Sequence, residues 1–229
     1  MVEIIKTLLD KIYETFIFDN RYLFFVEGLK NTLLLTLGSF VFGTISGVLL
    51  CATQRANNKV INRIGRFIVH TLMEIPTMVL LMIMVYIIFG NSVVPVIWVV
   101  VVGLTLKAGA YLSEIFNSAI STVDKGEIEA ARTLGMSRWQ AFKNVTLPQT
   151  VERALPLYMN QFIATMQETS VVGYLAIVDL TRASSIVSSR TLDAFFGIIA
   201  VTLIYFIIGF IVKKVFNIFI SRSRKGEAA

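Results

Sequence analysis

Three long stretches of this chain, residues 31–54, 75–106 and 194–212, contain no Asp, Glu, Lys or Arg. A helix needs about 20 apolar residues to cross the hydrocarbon core of a bilayer. The pattern predicts five membrane-spanning helices, at 29–52, 67–90, 93–115, 154–178 and 194–212. Gln161, Gln167 and Glu168 interrupt the fourth. Ahead of the first, Ile5, Leu8, Leu9, Ile12 and Phe16 recur at helical spacing, with Lys6, Asp10, Lys11 and Glu14 between them. Residues 1–28 therefore read as an amphipathic segment lying in the membrane interface. No short apolar core follows a basic start, so this is not a cleavable signal.

Composition agrees. The chain has 229 residues, 55% hydrophobic and 16% charged, against about 25% charged for a soluble domain. Mean hydropathy is +0.74. The fold class is all-α, a single integral helical bundle over 1–229. Cys51 is the one cysteine, so no disulfide framework exists, and it reads as a small buried hydrophobe. The loops after the first and third spans and the C-terminal tail carry fourteen Lys and Arg, among them Arg55, Arg63, Arg132, Arg153 and Lys213. The opposite side carries six: Lys6, Lys11, Arg21, Lys30, Arg182 and Arg190. Basic residues mark cytoplasmic loops, which puts the N-terminus outside and the C-terminus in the cytoplasm. The net charge of +6 is accounted for by this anchoring, and a nucleic-acid partner is not needed.

The long cytoplasmic loop, 117–153, can be read locally. Glu127 to Leu134 is a short helix of good formers, and Gly135 supplies a left-handed cap. Ser137-Arg138-Trp139-Gln140 matches a capping box. A second helix starts there and is expected to stop at Pro148. Trp139 and Phe142 share one face and are expected to anchor the hairpin on the membrane domain. A compact polar hairpin in a chain that otherwise lives in lipid suits the docking of a soluble partner, although capped helical hairpins are common in loops.

Glu129-Ala130-Ala131, three residues, Gly135, nine residues, then Val145-Thr146-Leu147-Pro148 resembles the cytoplasmic loop of ABC importer permeases, whose pattern ends Ile-x-Leu-Pro. Tyr111, Glu114-Ile115, Ala119-Ile120, Val123, Gly126, Leu147-Pro148-Gln149, Thr169-Ser170 and the opening Gly28-x-x-x-Thr32-Leu33 look like the polar amino-acid uptake subfamily. The resemblance covers about 25–215. It implies a type I importer-like permease that is not itself an enzyme. Gly126, Glu129, Ala130, Ala131, Leu134, Gly135, Leu147 and Pro148 would form the coupling loop, docked in a cleft of an ATP-binding subunit. Implied partners are a dimer of those subunits, a second permease subunit (a copy or a paralogue) and an extracytoplasmic solute-binding protein. The implied location is a bacterial cytoplasmic membrane and the implied solute a small polar molecule, an amino acid first. ATP and Mg would be held by the partner, and no cofactor or metal by this chain. No Gly-x-x-x-x-Gly-Lys-Ser/Thr phosphate loop is present. The sequence departs from the subfamily at Met73-Glu74-Ile75-Pro76 (usually Arg-Gly-Thr-Pro), Asn117 (Arg), Glu127 (Gln) and Gln167-Glu168 (Lys-Asp). Those changes leave the solute open.

Ionisable residues inside a membrane are costly and usually functional. Glu74, Lys107, Glu114 and Glu168 qualify, and with Pro76 and Tyr111 they are the candidate solute path. The competing reading is structural pairing or snorkelling near a helix end, favoured for Glu114. Pro76 frees a backbone carbonyl in mid-span, where solutes are often met. His70 reads as a packing residue, since no second histidine exists to form a metal site. Ser39, Gly43 and Gly47 make a small-residue stripe for close helix packing, within the chain or at a dimer seam. Trp98 marks an interface level or the core, and the Ser-rich 183–189 reads as an outer loop. Buried charges alone would also suit an ion-gradient-driven secondary transporter or channel. A membrane scaffold without transport is a third class.

Overall fold

The computed structural model describes residues 2–226, apart from the side chains of Val2, Ile4, Leu8 and 219–226. The tail cations Arg222, Arg224 and Lys225 thus have no described side chains. Ten α-helices, joined by short 3-10 and π segments, account for nearly all of the described chain. Three helices are long and apolar enough to cross a membrane, or five spans if each of two bent pairs is one span.

The N-terminal helix α1 (Val2–Ile12) keeps the amphipathic character expected of it, with Ile5, Leu9 and Ile12 facing outward. Its interfacial run ends early. The chain reverses at Asp19 and Asn20, both left-handed at φ 55° and 51°, and α2 (Tyr22–Gln54) begins at once. Residues 22–28 therefore belong to the first span, not to the amphipathic segment. Glu27 and Lys30 are exposed on this helix, so their charge did not end it. Lys11 pairs with Asp193 at 2.6 Å and Arg190 with Asp19 at 3.6 Å, which ties the N-terminal segment to the far end of the chain.

The centre of the molecule is α2 against α5 (Val96–Ser121), running parallel. Small residues allow the approach. A Cβ on Gly43 would lie 2.9 Å from the Ala108 Cβ, and one on Gly47 2.9 Å from the Leu112 Cβ. Ser39 donates to the Val101 carbonyl at 3.3 Å. The small-residue stripe is thus a seam within the chain, as close helix packing requires. Trp98 is largely exposed at the first turn of α5 and is not part of the core.

The second span is not one helix. Helix α3 (Lys59–Glu74) starts far earlier than expected, with Asn58 accepting from the Val60 amide at 2.9 Å. It stops at Ile75-Pro76, and α4 (Thr77–Met82) with its π continuation Ile83–Ile88 leaves at 106°. Proline removes the amide that would have carried the helix on. Leu81 of α4 joins Leu35, Val100, Leu104 and Val172 in the main core.

The loop 117–153 is more helical than expected. It holds α6 (Lys125–Thr133) and α7 (Arg138–Ala141), then a π segment Phe142–Thr146 that runs straight into α8 (Leu147–Glu168). Pro148 does not stop the second helix. It sits in the first turn of α8, where a missing amide is tolerated, and the π segment before it takes up the register change. Tyr158 of α8 bonds Thr44 of α2 at 2.8 Å and meets Phe40 edge-on at 4.7 Å.

A 3-10 segment, Thr169–Leu175, ends at Ala176, left-handed at φ 63°. Helix α9 (Leu180–Thr191) then departs at a 48° bend. The Ser-rich 183–189 is therefore helix and not an outer loop, with Ala183, Ser184 and Val187 buried. Asp179 caps it by accepting from the Thr181 and Arg182 amides at 2.9 and 3.0 Å. The last helix, α10 (Phe195–Gly226), is nearly uncovered by the rest of the chain.

Candidate functional site

Two places concentrate the polar chemistry: the hairpin of α6 and α7 and the break in the second span. The hairpin is built by local bonds. Asp124 begins α6 by accepting from the Gly126 amide at 2.7 Å. At its end Gly135 is left-handed at φ +88°. Its amide reaches the Arg132 carbonyl at 3.1 Å, and the Met136 amide reaches Ala131 at 3.2 Å. That is the 5→2 and 6→1 pair of a Schellman turn. The capping box follows: Gln140 N–H donates to Ser137 Oγ at 3.2 Å, and Ser137 N–H donates to Gln140 Oε1 at 2.7 Å. Helix, turn and helix are each fixed by neighbours in sequence.

The candidate coupling residues separate by exposure. Gly126, Glu129, Ala130, Gly135 and Pro148 are exposed. Leu134 is 82% exposed and Leu147 39%, while Ala131 is buried. Trp139 does not anchor anything to the membrane domain: it is 67% exposed and stacks on Phe142 at 5.7 Å. Ala141 is the buried residue of that helix. The anchoring falls to polar groups that the pattern did not single out. Gln149 of α8 donates to Glu127 of α6, and Arg153 donates to Thr122 Oγ1 at 2.9 Å and to Gln149 Oε1 at 3.0 Å. Glu127, where the subfamily has Gln, thus has a partner. Beneath the hairpin lies an apolar cavity of about 590 Å³, lined by Cys51, Phe116, Phe142, Leu147, Val151 and Tyr158 among others.

At the broken span, Lys107 of α5 is 3% exposed. Its ammonium donates to the carbonyls of Leu72 at 3.0 Å, Met73 at 2.8 Å and Ile75. Leu72 and Met73 are in the last turn of α3 and Ile75 caps it, and the break leaves their carbonyls without helical partners. A cation there also faces the negative end of the helix dipole. Tyr111, one turn on, lies with its ring 5.4 Å from the Lys107 ammonium, and its hydroxyl reaches Met73 at 3.5 Å. The Glu74 and Glu168 carboxylates both act electrostatically on Lys107 and Tyr111. Glu74 is exposed, whereas Glu168 is half-buried, with one buried oxygen that has no hydrogen-bond partner. Five of the six candidate path residues, Glu74, Pro76, Lys107, Tyr111 and Glu168, therefore gather at one place.

Glu114 does not join them. It lies two turns beyond Lys107 on the same face of α5, near Cys51 and Arg55 toward the hairpin end of that helix. There Arg55 binds Asn117 and Ser121 at 3.1 and 3.2 Å. His70 is exposed, and among the described residues no group of three His, Cys, Asp or Glu could hold a metal.

Residues 39–225 match the family model described as binding-protein-dependent transport system inner membrane component. A putative glutamine transport system permease protein, GlnP, of Rickettsia prowazekii (strain Madrid E) is 32% identical over 206 residues, 85% of this chain and 94% of the relative. A probable amino-acid permease protein, YxeN, of Bacillus subtilis (strain 168) is 27% identical over 198 residues, 85% and 88% of the two chains. Among solved structures, a crystal structure of an amino acid ABC transporter with histidines superposes with TM-score 0.80 at 30% identity, covering 87% of this chain and 94% of that one. An inward-facing MetNI methionine ABC transporter shares the fold, with TM-score 0.73 at 21% identity.

Proposed function

Because the chain belongs to the family of binding-protein-dependent transport system inner membrane components, we propose that it imports an amino acid with energy drawn from a separate ATP-binding subunit. The observation that carries this reading is the hairpin. It is exposed, capped at every turn by its own residues, and continuous through the π segment with membrane helix α8. A surface so fixed can receive force from a soluble partner and pass it to a span. Glu129, Ala130 and Leu134 offer the partner a carboxylate, a small residue for close approach and an unpartnered apolar side chain.

An amino acid as solute is supported by the relatives named for amino-acid and glutamine transport. It is also supported by the cluster at the break, where Glu74 and Glu168 can accept hydrogen bonds from an ammonium. A solute-binding protein would deliver from outside, and the bare face of α10 leaves room for a second permease subunit. The basic-residue bias supports a cytoplasmic C-terminus in a bacterial cytoplasmic membrane.

Reconstitution tests this. The chain, an ATP-binding subunit and a binding protein from the same cell should take up labelled amino acid into liposomes only with ATP and Mg. Uptake by the chain alone, driven by an ion gradient, would overturn the reading in favour of a secondary transporter.

A further inference from the structure

Lys107 was expected on the solute path, but its hydrogen bonds point elsewhere. An ammonium has three N–H donors, and three backbone carbonyls of the α3 end take them. Those carbonyls are at membrane depth, where an unsatisfied backbone group costs several kcal/mol. No donor is left for a solute carboxylate. The Glu168 oxygen beside it has the opposite problem: it is buried and has no partner. No ion pair joins Glu168 to Lys107, although its charge acts on the ammonium. A buried carboxylate oxygen without a partner is costly and calls for an explanation, even on a half-buried side chain. The three elements that meet here differ in what moves them. Lys107 belongs to α5, in the central seam with α2. The carbonyls belong to the free end of α3 at the 106° break. Glu168 ends α8, the helix that continues the hairpin.

We propose that Lys107 is a positioning residue of the transport cycle, alternating between two stations. In the structure it clamps the end of α3. When the hairpin displaces α8, Glu168 comes within reach, the ammonium pairs with it, and the clamp on the break opens. The ammonium is thereby satisfied in both states and the Glu168 carboxylate only in the second, where the three carbonyls give up their donor, and the angle between α3 and α4 follows the hairpin. The proposal rests on the reading that the hairpin receives force from an ATP-binding subunit.

The test uses the full complex in liposomes, with Lys107→Met, Lys107→Arg and Glu168→Gln. Nitroxide labels on His70→Cys and Tyr86→Cys, in a Cys51→Ser background, report the distance across the break. In the otherwise unaltered complex, vanadate trapping with ATP and Mg should add a second distance. Glu168→Gln should assemble normally, since it removes an unpartnered acid, yet lose that second distance and most uptake. Lys107→Met should hydrolyse ATP while moving about tenfold less solute per ATP, and Lys107→Arg should recover part of the loss. A second distance that persists in Glu168→Gln overturns the proposal. So does a Lys107→Met complex with unaltered solute per ATP. If Lys107→Met fails to assemble, the Glu168→Gln distances decide alone. Absence of any ATP-dependent uptake in the unaltered complex would be the failure of the permease reading instead, recognisable before any variant is examined.

Discussion

Replacing Gly135 with valine should uncouple the hairpin while leaving the membrane bundle intact. Gly135 holds φ +88°, and a Cβ there would meet nothing within 4 Å. No neighbouring side chain therefore adds to the penalty, and what remains is the conformation itself. A left-handed residue with a side chain costs about 1–2 kcal/mol, more for a β-branched one. One to two kcal/mol is a factor of roughly 5–30 in the population of the native turn. The turn lies outside every span, so insertion and thermal stability of the bundle should be unchanged. Co-purification of the ATP-binding subunit and ATP-driven uptake should both fall by about that factor. Gly135→Asn is the control, because asparagine tolerates the left-handed region. It should retain most uptake. Normal uptake in Gly135→Val, or equal loss in valine and asparagine, would refute the idea that the turn angle matters.

Three further outcomes follow from the same geometry. Glu74→Gln should alter transport rate or solute preference more than complex assembly, since the side chain is exposed beside the break; unaltered uptake would make it a structural charge. In a Cys51→Ser background, an impermeant maleimide should label Lys125→Cys only from the cytoplasmic side and Ser185→Cys only from outside, and the reverse would sink the orientation. Lys11 donates to Asp193 and holds its carboxyl below the ordinary range. The contribution of this exposed pair is thus present above the ordinary carboxylate pKa and lost as pH falls through the lower, folded value. Hydrogen exchange in α1 should accordingly quicken only at acid pH, and Asp193→Asn should exchange fast at every pH.

What could be read from the sequence was set by the range of the physics. The turn at Gly135 and the Ser137–Gln140 capping box are bonds between residues at most five apart, and both stand where the pattern placed them. The apolar runs marked where helices could cross, and the structure has three such helices, or five spans if each bent pair is one. Such runs are silent on direction, so the right angle at Pro76 was invisible until Lys107, far along the chain, was seen to hold its loose carbonyls. The first helix starts seven residues before the expected 29, because a helix can carry a charge such as Glu27 outward without ending. Serines hid α9, although Leu180, Ala183 and Val187 repeat at helical spacing behind the Asp179 cap. The Glu127–Gln149–Arg153 bracing joins residues on two helices, and no local rule selects such a set.

The continuity of Arg138 through Glu168 has a mechanical reading. At 1.5 Å per residue this is a shaft about 45 Å long. Its lateral bearing on α2 is Tyr158, held by Thr44 and Phe40, and on the hairpin side Arg153 braces it against Thr122. Twenty residues lie on the hairpin side of that bearing and ten on the Glu168 side, arms of about 30 and 15 Å. Were the shaft to pivot there as one piece, a stroke at the hairpin would reach Glu168 at about half its travel and about twice its force, in the opposite direction; Pro156, two residues from the bearing, is where it would bend instead.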